Sequence, residues 1–194
     1  MTTPDPTRVF IVYGRNRDAH GALKLFLRAL KLNPLDFDEV RNDLGGAPFV
    51  GAIVRAGLER AHGVIVLFTP DEYAVLRPEL SGKHDTADDQ QRWQPRINVI
   101  FEAGMALALN ETRTILAVLG KVPLPSDLQG RHCLRLDNTP TARTHLRDAL
   151  VGIGCTVDRY TGDLYDLKLA GDFEACLQPP TLKEVSPLSP FRGR

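Results

Sequence analysis

Three features of the sequence predict an α/β fold built on a doubly wound, flavodoxin-like five-stranded parallel sheet. Short apolar runs alternate with amphipathic helical stretches, the order that produces parallel strands joined by crossover helices. The runs are apolar at consecutive positions rather than at alternate ones, as strands covered on both faces are. The rhythm repeats five times between about residues 8 and 152. Ligands in such folds bind beyond the carboxyl ends of the strands.

Each element has its own signal. Arg8–Tyr13 is a β-branched and aromatic run ended by Gly14, a buried first strand. From Asp18 to Leu32, Ala19, Leu23, Phe26, Leu27 and Leu30 recur at helical spacing. Leu35–Val40, after Asn33-Pro34, reads as a weaker second strand, and Arg41–Ala47 as a loop. Pro48 suits the first turn of a helix whose stripe is Val50, Ile53, Val54, Gly57, Leu58 and Ala61. Gly63–Thr69 is the most strand-like segment and is ended by Pro70. Residues 77–96 read as one long polar loop.

A helix opens next, at Pro95, with Ile97, Ile100, Phe101, Gly104, Met105 and Ala108 on one stripe. Val99, Ala103, Ala106 and Leu107 are apolar too, so this helix is expected to be buried nearly all round. Thr114–Leu119 and His132–Leu136 are the last strands, with a Pro-rich loop between them. The final helix spans Thr141–Val151 and turns Ala142, Leu146, Ala149 and Leu150 inward. The expected organisation is a flexible start (1–7), the α/β domain (8–152), a docked extension (153–178) and a disordered Pro-rich tail (179–194).

Composition narrows the function classes. The 194 residues balance 24 basic against 24 acidic side chains, so no general electrostatic footprint points to nucleic acid or membrane. No apolar run approaches the ~20 residues that span a bilayer, and the opening six residues carry no secretion signal. Cys133, Cys155 and Cys176 are too scattered for a disulfide framework or a metal site, which suits a reducing cytoplasm. His84, Asp85, Asp88 and Asp89 lack metal-ligand spacing and read as a solvated loop, so no metal is expected.

Glu102 is the residue on which a function rests. It is a carboxylate in an otherwise apolar helix, with the Asn98 amide one turn earlier on the same side. Burial without a partner costs several kcal/mol or raises the pKa. Two readings stand side by side: a buried ion pair with Arg96 or Arg15, or a carboxylate waiting for the hydroxyls of a ribose. In the second, Glu102 would stabilise an oxocarbenium-like transition state. A second carboxylate acting as general acid is unnecessary where the leaving base is already cationic and departs neutral, as nicotinamide does. Gly14-Arg15 could hold phosphate through backbone N–H groups and a guanidinium, or be an ordinary turn.

Four segments, Val9–Arg15, Leu67–Asp71, Gln94–Gly104 and Leu124–Gly130, occur in an order and spacing that resembles the bacterial TIR-like family of nucleotide-binding proteins. That family includes the TIR domains of STING-fused and cyclic-pyrimidine-triggered anti-phage effectors. The likeness covers residues 8–152, and Gln94–Gly104 is its most specific part. It implies an NAD⁺ glycohydrolase, with NAD⁺ as substrate and no cofactor, that assembles into dimers or filaments under an upstream nucleotide-sensing partner.

By this resemblance Glu102 takes the catalytic glutamate's position. Tyr13, Gly14 and Arg15 take the first-strand edge, Asp71 the Thr-Pro-Asp turn, and Arg96 with Asn98 the start of the catalytic helix. Loop 41–49 would cover substrate or join neighbouring protomers. Ala103 follows the glutamate where relatives commonly carry Leu, and residues 153–194 are too short and Pro-rich for a sensor module. A nucleoside deoxyribosyltransferase-like enzyme and a non-catalytic TIR interaction module are the rival readings.

Overall fold

The computed structural model describes residues 4–80, 82, 91–124, 128, 130–158 and 162–177. Five parallel strands form its centre: β1 (Arg8–Val12), β2 (Asn33–Leu35), β3 (Gly63–Phe68), β6 (Thr114–Leu119) and β7 (Cys133–Leu136). Their order is β2-β1-β3-β6-β7, with Val9 beside Gly63, Val64 beside Thr114 and Leu116 beside Cys133. Every residue of β3 is buried, because it lies mid-sheet with helices on both faces. The consecutive apolar runs record that double covering.

Alternate residues of the strands feed two separate cores. Val9, Ile11, Ile65, Leu67, Ile115 and Ala117 pack with α1 (Arg17–Ala29) and α5 (Pro140–Gly152). Phe10, Val12, Val64, Val66, Leu116 and Val118 pack with α2 (Phe37–Leu44), α3 (Val50–Arg60) and α4 (Ile97–Asn110). Helix α1 starts where the Asn16 side chain accepts the Ala19 N–H at 2.9 Å. Helix α5 starts with Thr139 accepting the Ala142 N–H at 3.2 Å and Pro140 in the first turn.

The chain after α5 completes the first of these layers. A 3₁₀ turn at Gly162–Tyr165 and a short α6 (Leu167–Ala170) bring Leu164, Ala170, Phe173 and Cys176 into the core over α1. Arg143 of α5 holds this segment from beneath while only 1% exposed. Its guanidinium donates to the Leu164 and Ala170 carbonyls at 3.1 Å, to Asn138 Oδ1 at 3.1 Å and to the Gly171 carbonyl. The rings of Phe173 and Phe26 lie 5.1 and 5.9 Å from it. A buried cation needs such partners, so the contacts fix where the segment docks.

Five expectations are corrected. Leu35–Val40 is not a strand: β2 ends at Leu35, and Phe37–Leu44 is helical. Asp36 and Glu39 close a capping box, each side chain accepting the other's backbone N–H at 3.0 and 3.2 Å, and this starts α2 inside the expected strand. Helix α2 also takes up Arg41–Leu44 from the expected loop, and Pro48 lies ahead of α3, whose N-cap is Phe49. The polar stretch 77–96 contains β5 (Gln91–Gln94), which pairs antiparallel with β4 (Glu72–Val75).

The largest correction concerns α4. Its buried face is Val99, Ala103 and Ala106, whereas Ile97, Phe101 and Leu109 are 67%, 72% and 48% exposed. Those buried positions repeat at i, i+4 and i+7, and the two alanines let the helix lie close against the sheet. Because the helix is apolar in every direction, periodicity could not select which face turns inward.

Candidate active site

Helix α4 begins at the carboxyl-end edge of the sheet, and Glu102 lies in its second turn. The side chain is half-buried and, among the described residues, makes no hydrogen bond or ion pair. The ion-pair alternative with Arg96 or Arg15 is therefore not realised as a contact. Burial raises the Glu102 pKa to about 7, against a smaller opposing pull from the Arg96 charge. A carboxylate left unpaired and poised near neutrality in a cleft marks a functional candidate.

Glu102 stands where two cavities meet. One, of ≈ 360 Å³, is bordered by Tyr13, Gly14, Arg17, Arg96 and Asn98, with Phe37 and Asp38 of α2 on its rim. The other, of ≈ 550 Å³, is bordered by Phe49, Ile97, Phe101 and Met105. Val50, Val54, Asn98 and Glu102 belong to both. The first offers guanidinium groups and hydroxyl or amide donors; the second is apolar and aromatic. Together they provide the mixed lining that fixes a polar ligand with a planar base.

Tyr13 is held against the start of α1. Its hydroxyl accepts from the Arg17 guanidinium at 2.6 Å, and its ring stacks on His20 with centroids 3.6 Å apart and planes 2° from parallel. His20 is buried, and desolvation drives its pKa down to about 4 despite Asp36 at 3.5 Å. It is therefore neutral, and its contact with Asp36 is not an ion pair. Lys24 holds that carboxylate instead, at 2.8 Å, and also reaches Glu39 at 3.1 Å.

Arg15 and Asp71 do not border the Glu102 cavities. Asp71 Oδ2 accepts the Arg15 backbone N–H at 3.0 Å, and its Oδ1 accepts the Thr69 hydroxyl at 2.8 Å. The Asp71 N–H in turn donates to the Gln94 carbonyl at 3.1 Å. The Arg15 amide is thus already engaged, and the loop after β1 is tied to the β4–β5 hairpin. Gly45 and Gly46 adopt φ of +68° and +62°, the left-handed region that needs glycine, so this turn between α2 and α3 is built on the pair.

Sequence reasoning missed Arg17, Phe37 and Asp38. The last two were hidden by the expected strand, and the Asp36-x-x-Glu39 capping box was the signal that would have revealed them. His84, Asp85, Asp88 and Asp89 lie outside the described residues, as do residues 1–3 and 178–194. Among the described residues no three His, Cys, Asp or Glu side chains converge on a metal position. No helix there is long and apolar enough to cross a membrane.

A family model described as CAP12/Pycsar effector protein, TIR domain, matches residues 8–138. The chain belongs to this family of bacterial TIR-like anti-phage effectors. No curated protein matches it.

Proposed function

We propose that the protein is a TIR-type NAD⁺ glycohydrolase that acts when protomers assemble. The observation that carries this reading is an unpaired carboxylate at the junction of a cation-lined cavity and an aromatic one. The dinucleotide's phosphates lie toward Arg17 and Arg96, and the nicotinamide ring lies toward Phe49 and Phe101. Glu102 accepts hydrogen bonds from the 2′- and 3′-hydroxyls of the adjoining ribose. The positive pyridinium favours the ionised form of Glu102, lowering its pKa in the complex.

As the C1′–N bond breaks, both bonding electrons go to the nicotinamide nitrogen, which leaves neutral. Positive charge spreads over C1′ and the ring oxygen, and the carboxylate stabilises it. Water then adds to C1′, giving ADP-ribose, nicotinamide and one proton. Phe49 and Val50, 80% and 58% exposed, join Ile97 and Phe101 in an apolar patch beside the cleft. Such a patch marks an interaction surface, and assembly through it would complete the open side of the cleft. An upstream cyclic-nucleotide-sensing partner, as the effector family implies, would supply the trigger.

The test is incubation with NAD⁺ at low and high protein concentration, reading nicotinamide by chromatography. Release that Glu102→Gln abolishes supports the proposal; no release at any concentration, with partner or crowding agent present, overturns it. A covalent ribosyl adduct on Glu102, detected by mass spectrometry, would favour a transferase-like mechanism instead.

A further inference from the structure

A third cleft, of ≈ 600 Å³, lies beyond the carboxyl ends of β3, β6 and β7. It shares no lining residue with the two cavities at Glu102. Its position is one where doubly wound sheets accept ligands, and its volume suits a molecule of nucleotide size. Trp93 of β5 borders it, together with Lys121 just past β6 and Arg135 and Asp137 at the end of β7. Leu136 and Gly120 are also part of its lining.

The charges there are unspent. Lys121 and Arg135 are exposed, and neither pairs with a carboxylate among the described residues. Asp137 takes the Thr139 N–H and hydroxyl on one oxygen, Oδ1, leaving Oδ2 for another donor. Trp93 is half-buried, its ring 5.2 Å from that of Tyr73, which fixes the indole as a platform. An aromatic platform, two free cations and one available carboxylate oxygen match a planar base, a phosphate and a ribose hydroxyl in turn.

We propose that this cleft is a second, non-catalytic nucleotide site, with the base on Trp93, the ribose on Asp137 and the phosphates on Lys121 and Arg135. The site stands independently of NAD⁺ cleavage, since none of its residues meets Glu102.

Trp93 is the single tryptophan of the chain and borders this cleft but not the two at Glu102, so its emission is a direct probe of the site. ADP, adenosine and inorganic phosphate would be titrated against the full-length protein, with absorbance-corrected fluorescence and calorimetry read together. ADP should bind saturably and alter Trp93 emission, with adenosine and phosphate each at least tenfold weaker. Lys121→Glu/Arg135→Glu, both exposed positions, should weaken ADP at least tenfold with an unchanged circular dichroism spectrum. Arg17→Ala and Glu102→Gln, which alter the other cleft, should leave binding intact. Absence of both heat and emission change at millimolar ADP would overturn the proposal. So would binding that survives Lys121→Glu/Arg135→Glu or is lost in Arg17→Ala.

Discussion

The Asp71 carboxylate occupies the space that a side chain on Gly14 would fill. A methyl group at Gly14 would overlap Asp71 Oδ2, the oxygen that accepts the Arg15 N–H. Glycine is required at this point for proximity, not for an unusual φ. Gly14 borders the cleft in which Glu102 lies, and Asp71, 57 positions later, backs it from outside that cleft.

That relationship predicts strong coupling. Gly14→Ala should destabilise by about 1–3 kcal/mol, the usual range for overpacking a filled site. Asp71→Ala should cost about 1 kcal/mol, the net worth of its hydrogen bonds from the exposed Arg15 amide and the Thr69 hydroxyl. The double variant should cost clearly less than the sum, because removing the carboxylate makes room for the methyl group. Urea denaturation of the four proteins checks this; strict additivity would refute the shared space.

Glu102 carries a pH signature. The kcat/KM of NAD⁺ cleavage should rise with pH and level off above an inflection near 7, since that parameter follows the free enzyme's carboxylate. Stability runs the other way. A folded-state pKa raised above the unfolded value means this group's contribution is greatest below about pH 4.5 and falls as pH rises toward 7. Glu102→Gln should therefore gain Tm over the parent protein through that window and hold the gain above it. A Tm difference independent of pH would contradict the burial of the charge.

Arg143 should be the most costly cation to remove. Arg143→Met leaves three carbonyls, of Leu164, Ala170 and Gly171, without their donor in a buried place. A loss on the order of 3 kcal/mol is expected. Limited proteolysis should then cut between residues 162 and 177 faster than in the parent protein. Unchanged protease resistance would show that the apolar contacts alone dock the segment.

The exposed apolar patch predicts concentration dependence. Phe49→Ser, at a position 80% exposed, should shift stability by no more than about 0.5 kcal/mol. It should nevertheless reduce the rise of specific activity with protein concentration, as followed by light scattering and nicotinamide release in parallel. Equal concentration curves for variant and parent would exclude this face as the assembly surface.

The sheet was legible in the sequence because strands covered on both faces must be apolar at consecutive positions, as β3 is throughout and β1 and β6 are after their first residues, Arg8 and Thr114. Glu102 was legible for the related reason that a lone carboxylate stands out in an apolar helix. The inward face of α4 was not, since Ile97 and Val99 are equally apolar and small residues fall on both sides, Ala103 and Ala106 buried and Gly104 and Ala108 exposed. Helix α2 was hidden by Phe37 and Val40, which read as strand residues until the Asp36 and Glu39 side chains are considered. Strand β5 was hidden because Gln91–Gln94 has no apolar alternation; it is held by pairing with β4. The roles of Arg15 and Asp71 were obscured because adjacency to a strand end does not say whether a group faces the cleft or another loop.

The docking of residues 162–177 has a practical consequence for anyone grafting this module onto a different sensor. A cut after Asn138, where the family match ends, would discard α5 and uncover part of the layer that α1 and α5 form on one side of the sheet. Leu23, Phe26 and Leu27 would lose the cover they receive from α5 and the chain after it, and the excised piece would be prone to aggregate. A piece that runs through Leu177 would keep the contacts of Leu164, Ala170, Phe173 and Cys176 with α1.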